Sequence, residues 1–261
     1  MNILDKITID KRKEVALRKS LIPISQLEQS VLFHRETVSL ANNLRSSNTG
    51  IIAEHKRRSP SKSVINHTLN VQDVASGYEN AGVCGMSVLT DGKYFGGSLD
   101  DLLIARASCH LPLLRKEFII DEYQLLEAKA YGADVILLIA AILTKDEIKK
   151  YSEFAKSLNL DVLLEVHNEE ELHKSIMPSL DMLGVNNRNL KTFNVSLETS
   201  KKLSELIPND FVKVSESGIS NIEAIKELQP YGYQGFLIGE NFMKTDNPGA
   251  NATEFINQLN K

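Results

Sequence analysis

The sequence predicts a (β/α)8 barrel, and three observations carry that prediction. Eight apolar runs recur along the chain, at Ile51–Ala53, Val83–Leu89, Leu111–Ile120, Asp134–Ala140, Asp161–Val166, Asp181–Asn186, Phe211–Glu216 and Gly235–Gly239. Helix-like stretches separate most neighbours, which is the signature of βα units and a parallel sheet. Polar or ionisable residues, or a glycine, sit in or just after seven of the runs: Glu54 and Lys56, Asp91, Lys116, Glu165, Asn186 and Arg188, Glu216 to Gly218, and Gly239. Barrels of this class gather their chemistry at the ends of their strands. An open doubly wound sheet is the alternative, but no GxGxxG follows the first run, so its usual dinucleotide site is missing.

The 261 residues match one such barrel with a short extension. Residues 1–50 precede the first strand and read as helical. Ile3, Leu4, Ile7, Val15 and Leu17 recur at roughly helical spacing, Leu27 to Leu44 suggests one or two more helices, and Pro23 divides the groups. This segment is expected to pack across one end of a barrel spanning residues 51–261. Between strands, residues 121–134 begin on acidic residues and end at Gly132. Residues 144–159 place Ile148, Tyr151, Phe154, Ala155 and Leu158 on one face, and residues 221–230 stop at Pro230.

Composition narrows the functional classes. A net charge of −4 gives no electrostatic support to a nucleic-acid or anionic-membrane partner. The first twenty residues mix charges without a signal-like apolar segment, and the run from Val135 to Leu143 is too short to span a bilayer. Cys84 and Cys109 form no CxxC pair and suggest reduced thiols, so a cytoplasmic protein is expected. The six histidines show no metal-ligand spacing, so no metal is expected, and no Walker motif or nucleophile elbow occurs.

The strand ends carry the chemistry. Glu54 and Lys56 are two apart and should project together; alone, the pair is equally well explained as a structural ion pair. Lys116 lies in an apolar strand, where burial disfavours its charge unless it is paired or employed. Phe118, two residues on, offers an aromatic wall. Glu165 ends the fifth run. Two lysines and two glutamates meeting in one barrel mouth can tune one another into acid and base. Asn186 and Arg188 add neutral and cationic donors. Ser217-Gly218 and Gly239 follow the last two strands, the usual phosphate position of this fold, where glycine lets the backbone approach an anion. The Glu240 side chain would repel a phosphate, so its amide should bind while its carboxylate turns away.

Taken together, ILDKI and KRKEV, then IIAEHKRRSPSKS, LTDGKYFGGS, KEFIID, LLEVHNEEEL, GVNNRNL, VSESGI and FLIGENFM resemble the indole-3-glycerol phosphate synthase family over essentially the whole chain. The resemblance implies conversion of 1-(2-carboxyphenylamino)-1-deoxyribulose 5-phosphate to indole-3-glycerol phosphate, without a cofactor. It implies Lys116 as general acid, Glu165 and Glu54 as the acidic pair, and Lys56 at the substrate carboxylate. Asn186 would orient these groups, and Glu216 and Ser217 would complete the catalytic set. Ser59, Pro60 and Ser61, the apolar wall of Phe95, Phe118 and Leu138, and Arg188 would bind substrate, and Gly218, Gly239 and the Glu240 amide would hold phosphate. Two positions depart from the family pattern. Glu117 stands where Asp is commoner and should face away from Lys116, and Asn189 replaces another Asp outside the proposed chemistry. Rival readings are a sugar-phosphate isomerase, a Schiff-base aldolase using Lys56 or Lys116, and a non-catalytic barrel that binds a phosphorylated metabolite.

Overall fold

Strands rich in Val, Ile and Leu on both faces need cover on both faces, and a closed parallel barrel inside a ring of helices supplies it. The computed structural model describes residues 3–190 and 192–261. Its eight strands are β1 (Ile51–His55), β2 (Gly85–Leu89), β3 (Leu113–Lys116), β4 (Val135–Ile139), β5 (Asp161–Val166), β6 (Met182–Asn186), β7 (Val212–Glu216) and β8 (Tyr233–Ile238). They pair in parallel in sequence order, and β1 closes on β8 through Ile51 with Phe236 and Ala53 with Ile238.

Alternation along each strand sorts the side chains into two cores. Ile52, Leu114, Leu137, Leu163, Met182 and Val214 fill the barrel interior. Ile51, Ala53, Val88, Ile136, Leu164 and Val185 face the helices. Continuing the inward parity past the packed layers brings Glu54, Lys116, Glu165, Asn186, Glu216 and Gly239 to the mouth at the strand C-terminal ends.

β3 is shorter than the apolar run predicts. Beyond Lys116 the backbone is claimed by side chains: Glu117 accepts the Phe118 N–H at 2.9 Å, and Gln124 donates to the Phe118 carbonyl and accepts the Ile120 N–H, each at 2.9 Å. These partners replace the sheet ladder, so the strand stops there while Phe118 stays buried.

The N-terminal segment forms three helices, α1 (Ile3–Leu21), α2 (Ile24–Glu28) and α3 (Leu40–Ser46). Residues 1 and 2 of the expected segment lie outside the described residues. The segment reaches both ends of the barrel, not one. Ile3, Leu4 and Ile7 of α1 line the mouth, and Lys11 is buried against Asp91 at 2.9 Å and Glu117 at 3.0 Å. Leu17 is 59% exposed and belongs to the outer face of α1.

At the opposite end, α3 seals the barrel floor. Leu40 packs beside Gly85, and Leu44 beside Gly235, where a side chain on either glycine would meet them at 2.6 and 3.2 Å. The Ser39 hydroxyl and Ala41 N–H donate to Asp161 at 2.8 and 3.1 Å. Asp134, fully buried, accepts from Arg35 at 2.6 Å and from Arg106, the Val38 N–H and the Leu113 N–H at 2.9 Å each. Among the described residues no helix is long and apolar enough to cross a membrane.

Candidate active site

The mouth holds a cavity of about 450 Å³ with a charged floor, an apolar side and a glycine-rich rim. β1 brings Glu54 and Lys56 onto one face, and Lys56 Nζ donates to Glu54 Oε1 at 2.6 Å. Glu54 Oε2 lies 3.4 Å from the Ser87 hydroxyl. Across the floor, Lys116 donates to Glu216 Oε2 and lies 3.4 Å from Glu165 Oε2. Asn186 accepts the Arg188 N–H at 3.0 Å, which leaves its amide nitrogen toward Glu165.

Burial and neighbouring charge push these groups apart. Desolvation works against the Lys116 ammonium, but Glu216, Glu165 and Glu54 together raise its pKa above the usual lysine value. Burial also penalises the Glu165 charge; Lys116, His167 and the Asn186 amide overcome it and hold Glu165 below the usual carboxylate range. Glu216 goes the other way, to about 7, because desolvation and the Glu165 and Glu54 charges outweigh Lys116. One cation, one ionised carboxylate and one carboxyl titrating near neutrality therefore share the pocket floor, and their protonation belongs to the group as a whole.

Two glycines make room for this cluster. A side chain on Gly184 would come within 2.6 Å of Glu216 Oε1, and one on Gly239 within 2.5 Å of Glu54 Oε1.

The apolar side is built by Phe95 and Phe118, whose rings sit 5.9 Å apart and tilted by 40°. Leu89, Leu137 and Ile139 join them, as do Ile3, Leu4 and Ile7 from α1. Leu138, expected in this wall, is not there: it is fully buried on the outer face of β4 among the helices. Its neighbours Leu137 and Ile139 hold the inward parity. Ser59, Pro60 and Ser61 line the rim from the loop after β1.

The rim opposite is formed by the ends of β7 and β8. Ser217 and Gly218 are both left-handed, with φ of 66° and 82°; this conformation is unusual for serine and natural for glycine. Asn187 fixes the turn by donating to the Ser217 carbonyl at 3.1 Å and the Ser215 hydroxyl at 2.9 Å. Gly239 precedes the short helix Glu240–Met243, whose leading N–H groups have no acceptor within it. The Glu240 carboxylate turns to Lys62 at 2.6 Å, and Lys62, Lys56 and Arg188 depress its pKa. Arg188 bridges to Val195 and lines the same rim. Among the described residues no group of three or more His, Cys, Asp or Glu side chains is arranged to hold a metal ion.

Three contributors were given no role in the site from the sequence. The α1 apolar residues carry no chemical signature, Asn187 is hidden behind Asn186, and Asp91 works locally. Asp91 accepts the Tyr94 and Phe95 N–H groups at 2.6 and 3.2 Å, and so sets Phe95 over the pocket.

A closed parallel barrel with an ionisable cluster at its strand ends and amides at the last two has the architecture of a (β/α)8 barrel enzyme. The family model for indole-3-glycerol phosphate synthase matches residues 4–255. Indole-3-glycerol phosphate synthase from Bacteroides thetaiotaomicron is 47% identical over 258 residues, 99% of each chain. That from Acinetobacter baylyi is 43% identical over 255 residues, covering 97% of this chain and 95% of the relative. A solved structure of 3-hexulose-6-phosphate synthase from Salmonella typhimurium shares the fold, with a TM-score of 0.64 over 80% of this chain and 98% of that one, at 13% identity. The chain belongs to the indole-3-glycerol phosphate synthase family, carboxy-lyases of tryptophan biosynthesis.

Proposed function

We propose that the pocket closes the pyrrole ring of 1-(2-carboxyphenylamino)-1-deoxyribulose 5-phosphate, with loss of carbon dioxide and water. The observation that carries the reading is Lys116, a buried ammonium at the pocket floor between Glu216 and Glu165, within reach of the aromatic side of the cavity. The amides after Gly218 and Gly239 suit the substrate phosphate, and Arg188 and Lys56 add positive charge around them. With the phosphate anchored there, the aryl ring lies along Phe95 and Phe118, and the carbonyl carbon meets the ring carbon that bears the carboxylate.

Lys116 then protonates the carbonyl oxygen as the new carbon–carbon bond forms. Lys56 neutralises the carboxylate until carbon dioxide leaves and the ring regains aromaticity. In the last step the hydroxyl departs with a proton from an acid while a base removes a ring proton. Glu165 is available for the base role because its neighbours hold it ionised. Glu54 assists, and Glu216, held near neutrality, restores the Lys116 proton. Asn186 orients Glu165, and Ser217 positions the β7 rim. Ser59, Pro60 and Ser61 cover the substrate from the β1 side.

The test is direct. Purified chain, EDTA and the carboxyphenylamino-deoxyribulose phosphate are incubated without added cofactor, and indole fluorescence is followed. Product supports the reading; folded protein that binds the substrate without turning it over rejects it.

A further inference from the structure

Lys116 is not the only nitrogen group beside Glu165. His167 follows it by two on the same side of the chain. His167 Nε2 lies 3.3 Å from Glu165 Oε1, and Nδ1 lies 3.1 Å from Glu171 Oε2. The three side chains are only 9%, 7% and 16% exposed. The reaction steps above assign no role to His167 or Glu171.

The neighbouring acceptors point to where the protons sit. Glu171 accepts the His167 backbone N–H at 2.8 Å and the Asn168 side-chain amide at 2.9 Å. It therefore acts as an ionised acceptor, and Nδ1 must carry a proton to face it at 3.1 Å. Nε2 is buried and makes no aligned hydrogen bond; the group it faces is the Glu165 carboxylate. A lone pair on Nε2 would repel that carboxylate, whereas a proton there attracts it.

We propose that His167 is a positioning residue: its imidazolium, braced by Glu171, keeps Glu165 ionised and pins its Oε1, leaving Oε2 toward Lys116 and the reacting atoms. The proposal rests on the reading of Glu165 as the working base. The surrounding charges agree with it. Burial opposes charge on His167, but Glu171, Glu165 and the more distant Glu216 outweigh it and raise its pKa above the usual histidine value. Lys116 approaches from β3 on the far side of Glu165, and Asn186 of β6 is neutral. Lys174, on the helix Glu169–Ser175, is turned to the Ala140 and Leu143 carbonyls. The imidazolium therefore persists to higher pH than that of an ordinary histidine and is lost as pH rises through its raised pKa.

Nitrogen-15 NMR of the histidine rings in the full chain, without substrate, tests the protonation independently of any turnover. His167 should be doubly protonated at neutral pH and should titrate at lower pH in Glu165→Gln. A singly protonated ring, or an identical titration in Glu165→Gln, would overturn the proposal. Kinetics then test the consequence. In His167→Asn the acidic limb of the kcat profile should move up by about one pH unit, with KM nearly unchanged. An unmoved limb in folded His167→Asn would mean that the ring does not tune the base, and the positioning role would be lost.

Discussion

Lys116 on β3 and Glu216 on β7 meet across the barrel mouth in a direct hydrogen bond, although a hundred positions separate them in the chain. Glu216 helps to hold the buried Lys116 charge, and Lys116 offsets part of the burial that pushes Glu216 up. The pair gives the floor of the pocket an ammonium that keeps its proton and a carboxyl that exchanges one near neutrality.

Removing the ammonium should therefore abolish chemistry before it affects folding. Lys116→Ala and Glu165→Gln are each expected to lower kcat by roughly a hundredfold or more, with an unchanged circular dichroism spectrum. A wild-type rate in either variant would take that residue out of the mechanism.

Gly239 is needed for the space it leaves. A methyl group there would sit 2.5 Å from Glu54 Oε1 and force that side chain off its contact with Lys56. Gly239→Ala should cut kcat/KM roughly ten- to hundredfold. Unaltered steady-state kinetics would show that Glu54 does its work elsewhere.

The raised pKa of Glu216 makes a signed prediction about stability. The native state keeps this proton up to about 7, whereas an ordinary glutamate releases it near 4.5. Between those values the folded state binds more protons than the unfolded one, so this group's contribution to stability falls as pH rises. Urea denaturation of Glu216→Gln and the natural chain should show the difference shifting toward the variant as pH passes from about 4.5 to about 7. A difference independent of pH would mean that Glu216 titrates normally.

Asp134, at the other end of the barrel, bears on stability alone. Asp134→Ala would strand Arg35 and Arg106 and two backbone N–H groups, at a cost of roughly 3–5 kcal/mol. Its folded fraction should retain the natural kcat, because Asp134 lies at the barrel end away from the pocket.

The barrel could be read from the sequence because parallel strands leave unmistakable apolar blocks, and the site because charge in such blocks is costly. Glu54, Lys56, Lys116, Glu165, Asn186 and Glu216 all reach one pocket for that reason. What escaped was whatever depended on distant partners. β3 ends early because Glu117 and Gln124 take over its backbone, which no local pattern reveals. Leu138 entered the wall through the family resemblance, and β4, reading Val-Ile-Leu-Leu-Ile, has no polar alternation that would have shown it faces outward. The N-terminal helices showed their amphipathic spacing, but spacing does not say that Ile7 meets a substrate wall while Leu44 meets a strand at the opposite end.

That last contact has a consequence for biosynthesis. Leu40 and Leu44 leave the ribosome before any strand exists, and the Gly235 surface that covers Leu44 is made within the final strand. Until translation is nearly complete, the base of the barrel has no seam for α3 to close. Leu44, made early, therefore reaches its full packing only after β8 has been synthesised.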